Sequence, residues 1–134
     1  MSKFQAFMKQ NKKGAETVKF KLPNFGDAEF ELRILTGEEN ETIQQKAMRN
    51  RAGKSGRQEQ YFDATTYNRD LCMASLVVPN LRDTELQESY GAHGEKDLFG
   101  KMFNFAEQGQ ILALVTQVSG LDKDINDFIV EAKN

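Results

Sequence analysis

Apolar and polar residues alternate along two segments near the start of the chain. The apolar positions are Val18, Phe20, Leu22, Phe30, Leu32 and Ile34. A period of two is typical of strands with one buried face. Pro23 and Gly26 lie between the two segments and favour a turn. The pattern predicts an antiparallel hairpin over residues 16–35, and its apolar face must pack on helices because a lone hairpin is marginal in water.

After residue 35 the apolar positions recur at helical spacing, and local capping signals mark where helices begin. Thr36 and Glu39 form a capping-box sequence, Asp83 is a candidate N-cap, and Asn104 with Glu107 forms a second box. The predicted helices cover residues 37–50, 64–78, 84–90, 95–103, 105–119 and 123–133. The fold class is therefore α+β: an N-terminal two-stranded antiparallel β-hairpin packed on a mainly α-helical domain of five to six helices.

Two stretches lack a clear period. Residues 1–15 are basic and end in Gly14–Ala15, which predicts a mobile N-terminal segment ahead of a single domain over residues 16–134. Residues 50–60 are polar and rich in glycine and basic groups, which predicts a flexible loop.

The segment from Tyr67 to Gly91 predicts a fixed corner between two helices. Pro79 lacks a backbone N–H and disfavours the helical conformation at the preceding residue, so the first helix should end at Val77 or Val78. Gly91 supplies the left-handed conformation that closes the second helix.

An ordered string of residues runs through this corner. It reads Val77-Val78-Pro79-Asn80-Leu81, then Asp83-Thr84-Glu85-Leu86-Gln87-Glu88-Ser89-Tyr90-Gly91, and later Lys101-Met102. The string resembles the bacteriophage tail assembly chaperones of the XkdN-like kind, in which V-V-x-P-x-L is followed by D-x-E-L-Q-x-x-Y-G and then by a helix with a K-M pair. Here the proline follows the valines directly, and residues 103–109 depart from the family's usual L-L-x-x-G-E-Y.

The resemblance implies a non-catalytic protein of phage or prophage tail morphogenesis. Such a chaperone keeps the long, aggregation-prone tape measure protein in solution, helps to recruit tail tube subunits, and leaves before the tail matures. It would act in the host bacterial cytoplasm, and homo-oligomers are compatible with that role. The residues alone predict only a small interaction module.

Composition is consistent with a non-catalytic reading. No apolar run is long enough to cross a bilayer, and the N-terminus lacks the apolar core of a secretory signal, which predicts a cytoplasmic protein. The chain has no common catalytic motif, and one cysteine, Cys72, with one histidine, His93, leaves few groups for catalysis. The spacing of Asp122, Asp124 and Asp127 does not fit a calcium loop. We therefore expect no enzyme activity, cofactor or metal.

The charge is unevenly distributed. Residues 1–60 carry 12 basic and 8 acidic side chains, whereas residues 61–134 carry 6 and 12, so the halves have net charges of +4 and −6. This split is compatible with steering an acidic partner, with a head-to-tail contact between subunits, or with ordinary solvated faces. The alternative function is a small helical DNA-binding regulator that uses the basic segment 46–57, although the acidic second half makes nucleic acid an unfavourable partner.

Partner-binding residues are expected in three places. In the N-terminal segment, Phe4, Phe7 and Met8 fit one turn of an amphipathic helix, which can dock or fray. The remaining candidates are Arg49 and Arg51 beside the basic loop and Tyr90 at the corner.

Overall fold

The computed structural model describes residues 3–9 and 17–119. The helix predicted over residues 123–133 lies outside the described residues, and so does most of the segment 1–15. The elements follow in the order β1 (Val18–Phe20), β2 (Phe30–Leu32), α1 (Gly37–Lys46), β3 (Met48–Ala52), β4 (Gln58–Phe62), α2 (Ala64–Ser75), β5 (Leu76–Val78), α3 (Thr84–Ser89), α4 (Glu95–Met102) and α5 (Phe105–Val118). The mixed α and β composition is confirmed, and every strand pair is antiparallel.

The first sheet has three strands in the order β1-β2-β5, where the sequence predicted only two. β1 and β2 pair antiparallel, with Lys19 opposite Glu31. On the other side of β2, Leu32 lies opposite Leu76 of β5, and the register shifts between Glu31 and Leu32. The predicted hairpin is therefore one side of a larger sheet.

The last three residues of the helix predicted over residues 64–78 form the strand β5 instead. α2 ends at Ser75, and the next residue, Leu76, has extended backbone angles. The β-branched residues Val77 and Val78 suit an extended chain, and β2 offers them a free edge. Val78, one of the two residues at which the helix was predicted to end, lies in β5 and is 37% exposed.

Residues 50–60 do not form the predicted loop. Met48–Ala52 and Gln58–Phe62 pair along their full length as a second, two-stranded sheet. The turn between them closes with Gly53 N–H donating to Arg57 C=O at 2.7 Å. Because Met48–Ala52 belong to β3, α1 ends at Lys46 and not at the predicted residue 50. A strand partner ten residues away in sequence was not visible in the polar composition of this stretch.

An aromatic cluster joins the first sheet to the helices. The ring of Phe30 on β2 lies 5.9 Å from that of Phe103, and Phe103 lies 5.4 Å from Phe99 on α4. Phe20 and Phe25 also contact Phe30, with ring centroids 5.2 and 5.1 Å away, and Phe25 lies 5.8 Å from Phe103. Phe30, Phe99 and Phe103 are at most 2% exposed, and they lie at the centre of the core.

The buried face of β2 changes at the end of the strand. Phe30 and Leu32 are buried, as the alternation predicts, but Ile34 is 40% exposed. The strand ends at Leu32, so the period of two does not continue, and Leu35 packs against the core in place of Ile34.

Both predicted capping boxes are present. Thr36 Oγ1 accepts from Glu39 N–H and Asn104 Oδ1 accepts from Glu107 N–H, and each glutamate accepts the N–H of its cap residue in return. Asp83 caps α3 by accepting from Leu86 N–H at 2.9 Å. These bonds satisfy backbone donors that a helix start leaves unpaired.

Glu39 also makes a two-pronged ion pair. Its carboxylate oxygens accept from Arg33 at 2.9 and 2.6 Å, so the segment that follows β2 is tied to the start of α1. The Arg33 guanidinium, with the Thr36 N–H, lowers the pKa of Glu39 to about 2.

We predict that Glu39→Gln lowers the free energy of unfolding by about 0.5–1 kcal/mol at pH 7, because the amide loses the charge-assisted bonds while solvent screens part of the pair. A depressed pKa in the folded state stabilises the protein above the unfolded value of about 4.3, and this contribution is lost as the pH falls towards the folded pKa. The difference between variant and wild type should therefore shrink between pH 5 and pH 2 in urea denaturation. Glu38→Gln, on the same helical turn but without an ion pair in the described residues, is the control and should change little at either pH.

Cys72 lies on the buried side of α2 and is 2% exposed. Burial raises the pKa of its thiol to about 12, because the thiolate is poorly solvated there. We expect a thiol reagent at pH 8 to react at least about a hundredfold more slowly with the folded protein than with the protein in urea. Rapid labelling under native conditions would show that the thiol is reachable.

Candidate functional site

A groove of about 590 Å³ opens between α2, α4 and α5. Each helix contributes residues three or four positions apart, so a continuous face of each helix lines the space. The lining residues are Thr65, Asn68, Arg69 and Cys72 from α2, Lys96, Phe99 and Gly100 from α4, and Phe105, Ala106, Gln108, Gly109 and Leu112 from α5. We refer to this space as the helical groove.

Two glycines widen the helical groove. A Cβ atom added to Gly100 or to Gly109 would have no heavy atom within 4 Å, beyond its immediate chain neighbours and its own helix backbone. Glycine inside a helix costs about 1 kcal/mol relative to alanine, so both positions forgo stability. What they provide is open space, which a larger side chain would fill.

Phe105 lies at the mouth of the helical groove and is 95% exposed. It is the first residue of α5, directly after the N-cap Asn104. The extended backbone of Asn104, with φ −74° and ψ 173°, turns Phe105 away from the buried Phe103. A fully exposed phenylalanine beside an apolar groove is typical of a contact surface.

The charges around the helical groove are basic. Arg69 and Lys96 are the charged residues of its lining. Arg69 pairs with its neighbour Asp70 at 3.2 Å, whereas Lys96 makes no ion pair with any described residue. The groove therefore suits an apolar segment with acidic residues at its edge.

The sequence did not show which helices form the helical groove. Phe99 on α4 reaches both the core and the groove. The available signal was the spacing of Phe105, Gly109 and Leu112 on one face of α5, where a large apolar group precedes a glycine. Sequence alone does not show that α2 and α4 lie beside that face.

The N-terminal candidates are exposed. Phe4, Phe7 and Met8 are 58%, 82% and 43% exposed, and residues 5–7 form a single 3-10 turn. Lys3 Nζ lies 5.3 Å from the centre of the Phe4 ring. None of the three belongs to the apolar core formed by the described residues.

Arg49 and Arg51 lie on β3 rather than on a loop. Arg49 donates to Lys46 C=O at 2.9 Å and lies 3.9 Å from the Asp63 carboxylate. Arg51 lies 3.9 Å from Glu59 across the hairpin, and its guanidinium is 5.0 Å from the centre of the Tyr61 ring. Both arginines remain exposed, and neither lines the helical groove.

Tyr90 follows α3 and is 37% exposed. Gly91 beside it has a positive φ of 63°, as the predicted helix stop requires. Tyr90 does not line the helical groove, and neither do the other five residues proposed from the sequence.

The described part of the chain shows no arrangement for metal binding. Within residues 3–9 and 17–119, no three His, Cys, Asp or Glu side chains are grouped as ligands. Over the same residues, no helix combines the length and apolar character needed to cross a bilayer.

The fold has a counterpart among solved structures. The crystal structure of the protein yqbn, a target of the Northeast Structural Genomics Consortium, superposes with a TM-score of 0.68 at 15% sequence identity, over 91% of this chain and 99% of that chain. At this identity the likeness concerns the fold alone. No curated protein matches the chain.

The family profile decides the assignment. The profile described as the phage XkdN-like tail assembly chaperone protein matches residues 4–133, which covers the strands, the corner and all three walls of the helical groove. The resemblance in the segment from Val77 to Met102 is thereby confirmed. The chain belongs to the phage XkdN-like tail assembly chaperone family.

Proposed function

We propose that this chaperone binds the tape measure protein by holding an amphipathic helix of that protein in the helical groove. The observation that carries the proposal is Phe105, which is 95% exposed at the mouth of the groove. An unassembled tape measure helix presents an apolar stripe with residues three and four positions apart, and an apolar groove between helices is a common receptor for such a stripe.

The shape and charge of the groove support this partner. Gly100 and Gly109 leave room for apolar side chains of the incoming helix, and Phe105 provides an aromatic anchor. Arg69 and Lys96 would pair with acidic residues that flank the stripe. Covering the stripe removes the surface through which unassembled tape measure chains aggregate, and several copies would be needed to cover a long chain.

Recruitment of tail tube subunits is the second part of the proposal. A tape measure helix that fills the groove leaves Phe7 and Tyr90 exposed, since neither residue lines it. These groups would then meet the tail tube subunit. We further propose that the chaperone acts in the host cytoplasm and is released before the tail matures, without a catalytic step.

We predict that Phe105→Ala weakens binding of the tape measure protein by about 2 kcal/mol, or about thirtyfold, because it removes a central aromatic anchor. Since the side chain is exposed in the free protein, the melting temperature should hardly change. Binding is measured by titration with a soluble helical fragment of the tape measure protein and by the soluble yield on co-expression. Phe7→Ala removes an equally large exposed ring outside the groove and is the matched control. Wild-type affinity in the Phe105 variant would contradict the proposed site.

Gly109 allows a test with two substitutions at one position. Gly109→Ala should stabilise the chain by about 0.5–1 kcal/mol, because nothing obstructs its Cβ and alanine favours the helix. Gly109→Leu should fold as well but fill the groove, and we expect binding at least about tenfold weaker than for the alanine variant. Thermal unfolding and the same titration measure the two effects. Equal binding by both variants would mean that the partner helix lies elsewhere.

The exposed residues outside the groove are tested together. In a Phe4→Ala, Phe7→Ala and Tyr90→Ala variant, the tape measure protein should remain soluble on co-expression, whereas pull-down of the tail tube subunit should fall about tenfold. Loss of tape measure solubility would mean that these residues contact the tape measure protein. Unchanged pull-down of the tail tube subunit would mean that they do not contact that subunit.

A further inference from the structure

The hairpin formed by β3 and β4 projects from the domain without a buried face. We call residues 48–62 the basic arm. All five residues of β3 are exposed, and in β4 only Tyr61 is half-buried. The arm is joined to the domain at its base, where Asp63 N–H donates to Ala47 C=O at 2.9 Å and the Phe62 ring lies 5.3 Å from that of Tyr67.

A two-stranded hairpin exposed on both faces gains little from the hydrophobic effect and is marginal by itself. The pairing of the arm is nevertheless regular over its five residue pairs, from Met48–Phe62 to Ala52–Gln58. The helical groove makes no use of the arm. An extended, regular element without a core function is best explained by a surface that covers it in an assembly.

The arm is strongly basic. It holds four basic residues and one acidic residue, which gives a net charge of +3. Arg49 and Arg51 have acidic neighbours near the base and across the hairpin. Lys54 and Arg57 at the tip are exposed, and within residues 3–9 and 17–119 neither has an ion-pair partner.

The complementary surface lies around α3. Residues 83–95 carry four carboxylates and no lysine or arginine, which gives a net charge of −4. Glu95 pairs with Arg82 at 2.8 Å, and Asp83 caps the helix. Glu85 and Glu88, one turn apart on α3, are exposed and have no cation within ion-pair distance among the described residues. We call residues 83–95 the acidic corner.

We propose that the basic arm of one copy of this chain docks on the acidic corner of a second copy. The two segments have opposite net charges of +3 and −4, and no ion pair joins them within one chain among the described residues. Each copy carries both surfaces, so the contact is heterologous and repeats head to tail. The result is an open array in which one end exposes a basic arm and the other exposes an acidic corner.

This contact goes beyond the proposed function, because it needs only copies of this chain. It uses none of the residues of the helical groove, so tape measure binding and self-association can fail separately.

The experiment mixes two variants of the full chain. In Lys54→Glu with Arg57→Glu the arm changes from a net +3 to −1, and the acidic corner is intact. In Glu85→Lys with Glu88→Lys the corner changes from −4 to 0, and the arm is intact. Each variant alone should remain monomeric, while a 1:1 mixture should associate, because the intact arm of the second variant matches the intact corner of the first and the two exchanged surfaces match each other as well.

Sedimentation velocity and light scattering measure the mass of the wild type, of each variant and of the mixture. For the wild type we expect an average mass that rises with protein concentration, and an association constant that falls at least about tenfold between 50 and 300 mM NaCl. The control is Lys21→Glu, an exposed basic residue that directly follows β1 and belongs to neither surface, which should associate like the wild type. Circular dichroism verifies that every variant folds, and Glu85→Gln with Glu88→Gln replaces the lysine variant if that one unfolds.

Three results would overturn the proposal: a wild type that stays monomeric at all concentrations, variants that associate as the wild type does, or a mixture that stays monomeric although both variants fold. Salt-sensitive binding of duplex DNA that is lost in the arm variant, without self-association of the wild type, would assign the arm to nucleic acid instead.

Discussion

The contact between Phe30 and Phe103 joins the first sheet to the helices of this protein. Phe30 lies on the central strand of the first sheet and Phe103 directly follows α4, and their rings are 5.9 Å apart in a core where both are at most 2% exposed. Phe20 and Phe25, which contact Phe30, and Phe99, which contacts Phe103, extend the aromatic packing. Since each ring buries a large apolar area, this cluster fixes where the helices stand relative to the sheet.

The same contact shapes the surface of the helical groove. Phe103 is anchored inside, Asn104 is extended and caps α5, and Phe105 consequently points outward. Glu107 contributes to this arrangement from the buried side, where it accepts from Asn104 N–H at 2.9 Å and from the Asn24 side chain at 3.4 Å. Of these three consecutive residues, Phe103 thus packs in the core, Asn104 caps α5 and Phe105 is exposed to solvent. The exposed position of Phe105 follows from the buried position of Phe103.

The two proposed contacts differ in their chemistry. The helical groove is apolar with a basic edge and suits a partner helix, whereas the basic arm and the acidic corner meet through charge. Charge contacts form fast and weaken with salt, while apolar grooves retain their partner more strongly. The proposed division gives weak contacts between copies and firm contacts with the partner helix.

Local signals were sufficient for much of this fold. The caps at Thr36, Asp83 and Asn104 act on residues three positions away, so their outcome is visible in a short stretch of sequence, and so is the family string around Pro79. The strand β5, the basic arm and the helical groove were not determined locally. Val77 and Val78 lie in a strand because β5 pairs with the edge of β2, and the two strands of the basic arm form because they pair with each other. The groove required faces of α2, α4 and α5 to meet, which depends on packing between residues far apart in the chain and therefore only the tertiary structure decided it.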